Sequence, residues 1–139
     1  LQPVLYDIDA IHAAGAWEVI TTRIIPELND SDHVLRQVAG FIASIDPAMP
    51  WHVSRFFPTY RMTGRPVTPA ATIERAVELG HEEGLLYVYP GNVAGKESSS
   101  NTLCPTCGAT VVERHGYSVN AGNGLRCPRC GTRVKGVDS

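Results

Sequence analysis

The 139-residue sequence predicts an α/β protein, three β/α units belonging to a larger TIM-like barrel, followed by a small β ribbon built on four cysteines. Three observations carry this. Through residues 1–95, apolar residues at helical spacing alternate with short β-rich runs. All four cysteines fall in two copies of one pattern, "CPTCG" and "CPRCG", separated by nineteen residues. A Gly/Ser-rich stretch, "AGKESSSN", divides the chain into domains of residues 1–95 and 96–139.

The first helix is expected in "PVLYDIDAIHAAG", where Val4, Leu5, Ile8 and Ile11 recur at helical spacing. Pro3 suits its first turn and Gly15 its C-terminal cap. A strand, "WEVITTRII", follows and stops at Pro26. The loop "ELNDSD" ends in capping residues, with Asn29, Asp30 and Ser31 available. Val34, Leu35, Val38, Phe41, Ile42 and Ile45 then mark one face of a second helix. The cycle repeats with the strand "WHVSRFF" and the loop "PTYRMTGRPV". Thr68 and Pro69 open the helix "PAATIERAVELGHEEG", and Gly84 closes it. "LLYVY" is the third strand, and "PGNVAG" leaves the sheet.

Strands alternating with covering helices imply parallel pairing. Three strands alone leave edges and a face uncovered, so the array reads as part of a larger barrel. Its neighbours are expected from another segment or from a second copy, as a homodimer. The sequence begins at Leu1 rather than Met, which fits a fragment or a processed chain.

Cys104, Cys107, Cys127 and Cys130 have the spacing of a four-cysteine metal site. Two cysteines three apart aim both sulfurs at one point only where the backbone turns tightly. Pro105 and Pro128 fix that turn, and Gly108 and Gly131 let the chain leave it at positive φ. Four thiolates close a tetrahedral site, the structural rather than the catalytic arrangement, and both zinc and iron accept it. Two disulfides would need an oxidising compartment, and the first residues carry no secretory pattern, so a metal site in a cytoplasmic protein is expected. Between the knuckles, "TVVERHGYSV" reads as strand, turn at Gly116 and strand, with "NAGNG" a return loop. This is a zinc-ribbon or rubredoxin-like module. His115 reads as a solvated turn residue beside four thiolates that already complete the site.

Composition excludes some classes. At 43% hydrophobic and 19% charged the chain is globular in character, and no apolar run approaches the roughly eighteen residues a membrane span needs. Residues 1–95 carry 6 basic and 11 acidic side chains, residues 96–139 carry 6 and 3. The excess on the ribbon is small for nucleic-acid binding.

Ligand chemistry in a β/α array is expected at the carboxyl ends of the strands. Alternation places His52, Ser54 and Phe56 on one face and Trp51, Val53, Arg55 and Phe57 on the other. His52 is a candidate hydrogen-bonding ligand contact, against the alternative of a core histidine satisfied by a neighbour. Arg23 is a candidate carboxylate clamp, against a surface ion pair with Glu18 or Asp30.

Four stretches in order, "RIIPELNDSD", "PWHVSRFFPTYRMTGRPVTP", "GLLYVYPGNVAG" and "NTLCPTCGATVVERHGY", resemble the C-terminal half of the radical SAM enzyme of the AmmeMemoRadiSam system, a relative of pyruvate formate-lyase activating enzymes. The resemblance implies a partial (β/α)₆ barrel with a [4Fe–4S] cluster and S-adenosylmethionine (SAM) at the strand carboxyl ends. It also implies a SAM contact for His52, in its P-x-H run, and for Arg23, two residues along the same face from the family's position at Thr21. The family's C-x-x-x-C-x-x-C cluster loop and its Gly-Gly-Glu stretch are missing here. Two function classes follow: the C-terminal portion of a radical SAM enzyme, inactive alone, or a non-catalytic metal ribbon binding protein or nucleic acid through Arg114, Arg126, Arg129, Arg133 and Lys135, with Tyr117 the nearby stacking ring.

Overall fold

The computed structural model describes residues 2–16, 18–59, 61, 63–91, 101–115 and 118–135. Trp17, the linker through residue 100, and the expected turn at Gly116 with Tyr117 lie outside them. The elements are α1 (Gln2–Ala13), β1 (Ile20–Ile24), α2 (Asp32–Ile45), β2 (Trp51–Arg55), α3 (Ala70–Glu82), β3 (Val88–Gly91), β4 (Thr102–Leu103), β5 (Thr110–His115), β6 (Ser118–Asn120) and β7 (Gly122–Leu125). The order of helices and strands in the first part is the one the periodicity predicts.

β1, β2 and β3 form a parallel sheet in that order, with Thr21 opposite His52 and His52 opposite Tyr89. Among the described residues the sheet is open and does not close into a barrel. Closure needs strands enough to tilt and meet, and three cannot.

One face of the sheet is covered by α2 and α3. Ile24, Trp51, Val53 and Val88 pack there against Leu35, Ala39 and Ile42 of α2 and Ile73, Ala76 and Leu79 of α3. Trp51 is fully buried, and its indole N–H donates to Thr22 Oγ1 at 3.0 Å, so its one polar atom is satisfied. Each such apolar side chain contributes about 1.5–3 kcal/mol relative to exposure, which makes this face the main source of stability. Gly80 sets how closely α3 approaches. A Cβ there would stand 2.9 Å from Val88 Cγ2 and 3.0 Å from the Trp51 ring.

Local chemistry departs from expectation at three points. Ser31 alone caps α2, accepting from the Val34 N–H at 3.3 Å. Asn29 instead clasps the turn after β1, accepting from the Ile25 N–H at 2.7 Å and donating to the Arg23 carbonyl at 3.0 Å. Thr68 does not open α3. It is buried, donates to the Ile24 carbonyl at 2.5 Å and accepts from the Phe56 N–H at 2.9 Å, tying the ends of β1 and β2 to the returning loop. The third strand starts at Val88, three residues later than expected. Leu85 is drawn into the helix-side core, and Pro90 and Gly91 continue the pairing instead of leaving the sheet. Gly84 does close α3, at φ 102.

The ribbon forms a second sheet, β4-β5-β6, with β5 and β6 antiparallel as expected. The return segment is not a bare loop, since it contains β7. This module packs on the other face of the parallel sheet. Tyr87 and Tyr89, which alternate with the helix-facing Val88, join Val111, Val112, Val134, Cys104 and Cys127 in a second apolar cluster. Three polar contacts reinforce the docking: Tyr89 Oη to Thr102 Oγ1 at 2.9 Å, the Lys135 N–H to Tyr87 Oη at 3.2 Å, and an ion pair between Lys135 and Asp46.

Candidate metal centre

Each knuckle is the same hydrogen-bonded turn. The Cys104 N–H donates to the Ala109 carbonyl at 2.8 Å and the Gly108 N–H to the Cys104 carbonyl at 2.9 Å. The matching bonds of the second knuckle, Cys127 to Thr132 and Gly131 to Cys127, are 2.8 and 3.0 Å. Gly108 and Gly131 adopt φ 75 and 77, the left-handed conformation that glycine takes without steric cost. The turns aim N–H groups at sulfur, as where Arg129 N–H meets Cys127 Sγ at 3.4 Å.

The turns bring four sulfurs together across the chain. All four Sγ atoms lie within 4.8 Å of one another, with Cys104 3.5 Å from Cys130 and Cys107 3.5 Å from Cys127. A disulfide needs about 2.05 Å. Four sulfurs about 2.3 Å from a central ion stand about 3.8 Å apart in a tetrahedron. The geometry is therefore that of a metal site, and the donor set fits zinc or iron equally. Cys104 and Cys127 are buried, Cys107 is half-buried and Cys130 exposed, so the site sits at the ribbon surface with one side in the core.

As thiols, Cys104, Cys107 and Cys130 are unequal. The hydroxyl and N–H of Thr132 hold Cys130 down to about 6. The Ala109 N–H favours the Cys107 thiolate, but burial and the three neighbouring thiols together outweigh it and push the thiol up to about 12. Burial raises Cys104, but the N–H groups of Cys107 and Thr106 outweigh it and lower the pKa. Metal binding must displace these protons, so affinity rises with pH.

The other candidates occupy the parallel sheet. His52 is the second residue of β2, near the amino end rather than the expected carboxyl end. Its ring is half-buried and lies 4.9 Å from the Tyr89 ring at 33°. Burial, and then the charge of Arg114, lower its pKa and favour the neutral imidazole. Arg23 lies two residues further along, opposite Ser54 on the neighbouring strand and exposed. It forms no ion pair with Glu18 or Asp30 among the described residues. His52 and Arg23 share a sheet face but not an environment, since the ribbon covers the first and leaves the second open.

Sequence reasoning missed the docking residues Tyr87, Tyr89 and Thr102. A signal was present in "LLYVYP", where two tyrosines at alternate positions place both rings on one strand face. Of the basic ribbon residues, Arg126, Arg129 and Arg133 are exposed. Arg114 is half-buried, 5.6 Å from the Tyr89 centroid, and Lys135 is paired with Asp46. The surface available for nucleic acid is smaller than the charge count suggested.

Among the described residues no helix is long and apolar enough to cross a membrane. No family model matches the chain, and no solved structure matches it. The chain is 39% identical over 139 residues to the uncharacterized protein MJ0808 of Methanocaldococcus jannaschii, an alignment that covers 96% of the chain and 41% of that relative.

Proposed function

We propose that Cys104, Cys107, Cys127 and Cys130 hold one zinc or iron ion whose task is structural: it closes the ribbon and so secures its docking on the parallel sheet. The convergence of the four sulfurs within 4.8 Å carries this reading. A closed S₄ set leaves no position for substrate, and thiolate ligation contributes folding free energy directly in a module this small. Metal analysis with an absorption spectrum tests it. One zinc in colourless protein, or one iron in red protein, agrees. Protein purified without metal, or brown protein with several irons and sulfide, overturns the single-ion reading.

We infer, as a second reading, that the whole protein is a radical SAM enzyme of which this chain is the C-terminal portion. What favours it, beside the resemblance in sequence, is the unfinished sheet. β1 is an edge strand, Thr21 and Arg23 are exposed on it, and Val19, which immediately precedes it, is 47% exposed. The relative in Methanocaldococcus jannaschii has ample further length to supply neighbouring strands, because the chain spans only 41% of it. A second copy of the chain is the other source, and light scattering separates the two by showing whether the 139-residue chain dimerises.

The residues present do not fit a SAM-binding cluster. Every cysteine belongs to the ribbon, no C-x-x-x-C-x-x-C loop occurs, and His52 faces the ribbon rather than an open lumen. In the full-length protein the cluster and SAM would supply a 5′-deoxyadenosyl radical, and this portion would supply one wall and the ribbon. Anaerobic reconstitution with iron and sulfide, then dithionite and SAM, is expected to give 5′-deoxyadenosine from the full-length protein and none from residues 1–139. No product from the full-length protein would sink the reading.

A further inference from the structure

Docking encloses three of the four cysteines and leaves one open. Cys104 and Cys127 are 2% and 3% exposed and belong to the apolar cluster on the sheet, Cys107 packs against that cluster, and Cys130 is exposed and lies outside it. We propose that Cys130 is the point at which a hydroperoxide attacks the metal site, and that the oxidised chain carries a Cys104–Cys130 disulfide and no ion. This modification site, which presupposes the metal reading above, makes retention of the ion sensitive to oxidants.

The two knuckles share one sequence pattern and one set of backbone hydrogen bonds, so nothing local separates their cysteines. What separates them is the dock. The reactivity of a cysteine toward peroxide follows its thiolate character and its access. Ligation to one ion makes thiolates of all four alike, and access then singles out Cys130. It sits in the run 128–131, every residue of which is exposed.

The chemistry runs in two steps, written here for hydrogen peroxide. The Cys130 thiolate attacks one peroxide oxygen and the O–O bond breaks, giving a Cys130 sulfenic acid and a hydroxide that takes up a proton to leave as water. The Cys104 thiolate then attacks the Cys130 sulfur, the S–O bond breaks, and a second hydroxide leaves as water while the S–S bond forms. The sulfurs give up two electrons and the peroxide takes them. Cys104 is placed for the second step, since its Sγ stands 3.5 Å from that of Cys130 and has to close by only about 1.5 Å to reach disulfide length. Two thiolates then remain where a closed structural site needs four ligands, so the ion is released. Cys107 and Cys127, also 3.5 Å apart, pair in a second round. Both bonds join one knuckle to the other, and neither closes a C-x-x-C ring.

The test treats the zinc-loaded 139-residue chain with hydrogen peroxide, follows zinc release with a chromogenic chelator, and blocks the remaining thiols at intervals with an alkylating agent for peptide mass mapping. Tryptic cleavage after Arg129 puts Cys127 and Cys130 on separate peptides. Cys130 is expected to be the first thiol lost, with release of the ion in step with a Cys104–Cys130 disulfide, and a thiol reductant with added zinc should restore the site. Cys130→His keeps a four-ligand Cys₃His set and is expected to hold zinc and release it several-fold more slowly under peroxide. Should that variant bind no zinc, the mapping of the unaltered chain decides. Zinc retained under peroxide, first loss at another cysteine, a Cys127–Cys130 bond within one knuckle, or undiminished release from zinc-loaded Cys130→His would each overturn the proposal. The metal content is measured before peroxide is added, so a chain that never binds an ion, which sinks the metal reading and this site with it, is told apart from one that binds zinc and keeps it.

Discussion

The two sides of the parallel sheet are held by different physics. On the helix side Trp51, Ile24, Leu35, Ile42, Ile73 and Leu79 are almost wholly buried, and the stabilisation comes from apolar area removed from water. On the ribbon side the largest aliphatic side chains in the cluster are Val111, Val112, Val134 and Leu125, and its aromatic mass, Tyr87 and Tyr89, comes from the parallel sheet. A module with so little core of its own is the size at which metal ligation commonly takes over. The difference predicts that the ribbon depends on a bound ion and on its dock, whereas the helices depend on neither.

That contrast is breakable, and the largest expected effect is at the thiolates. Cys127→Ser should abolish metal binding and unfold residues 101–135, because structural zinc in small modules contributes on the order of 10 kcal/mol at neutral pH. The helix-side core should persist, with hydrogen exchange still slow in α2 and α3 and fast through β4 to β7. A variant that keeps its metal and a protected ribbon would remove the distinction between the two sides.

The converse substitution strikes the helix side alone. Gly80→Ala inserts a Cβ 2.9 Å from Val88 and 3.0 Å from Trp51, and overpacking of this kind costs about 1–3 kcal/mol. Denaturant titration should show the loss in the α/β unit while metal content stays at one ion. An unchanged midpoint would mean that α3 can move away from the sheet without cost.

Smaller effects sharpen the dock between the two. Tyr87→Phe removes the oxygen that accepts from the Lys135 N–H and should cost about 1 kcal/mol, read as faster exchange in the last ribbon residues. Acid should loosen the same contact. Burial raises the Asp46 carboxyl, but its bond to Lys135, the Ala48 N–H and the Lys135 charge outweigh burial and leave its pKa below the usual carboxylate value. A depressed pKa contributes stability that is complete above the unfolded value near 4 and is lost as pH falls through the folded one. NMR of the Lys135 and Asp46 signals between about pH 6 and about pH 2, roughly the range of carboxylate titration, should show the docking signals change only at the acid end. Loss of the contact already at pH 6 would assign it to another group.

Much of the architecture was legible because its causes are local. Ile42 and Leu35 announce α2 by their spacing, Gly84 announces the end of α3, and the C-P-x-C-G repeats announce both knuckles with the positive φ of their glycines. His52 shows the limit. Its strand and its face were read correctly, but its place near the amino end of β2 and its neighbour Tyr89 depend on where each strand begins, which pairing across the sheet decides.

The sequence by itself determined the order of helices and strands through residues 1–95, the sheet faces of Trp51 and His52, and the two cysteine knuckles, since each follows from residues within one turn or one strand of each other. Only the tertiary structure decided that Thr68 is a buried clamp rather than the start of a helix, that Gly80 marks close approach of α3 to Trp51, and that the ribbon docks over His52 through Tyr87, Tyr89 and Arg114. The physical reason is distance along the chain. Hydrogen bonds and packing between residues far apart in sequence have no period and no fixed spacing, so they leave no local pattern to read.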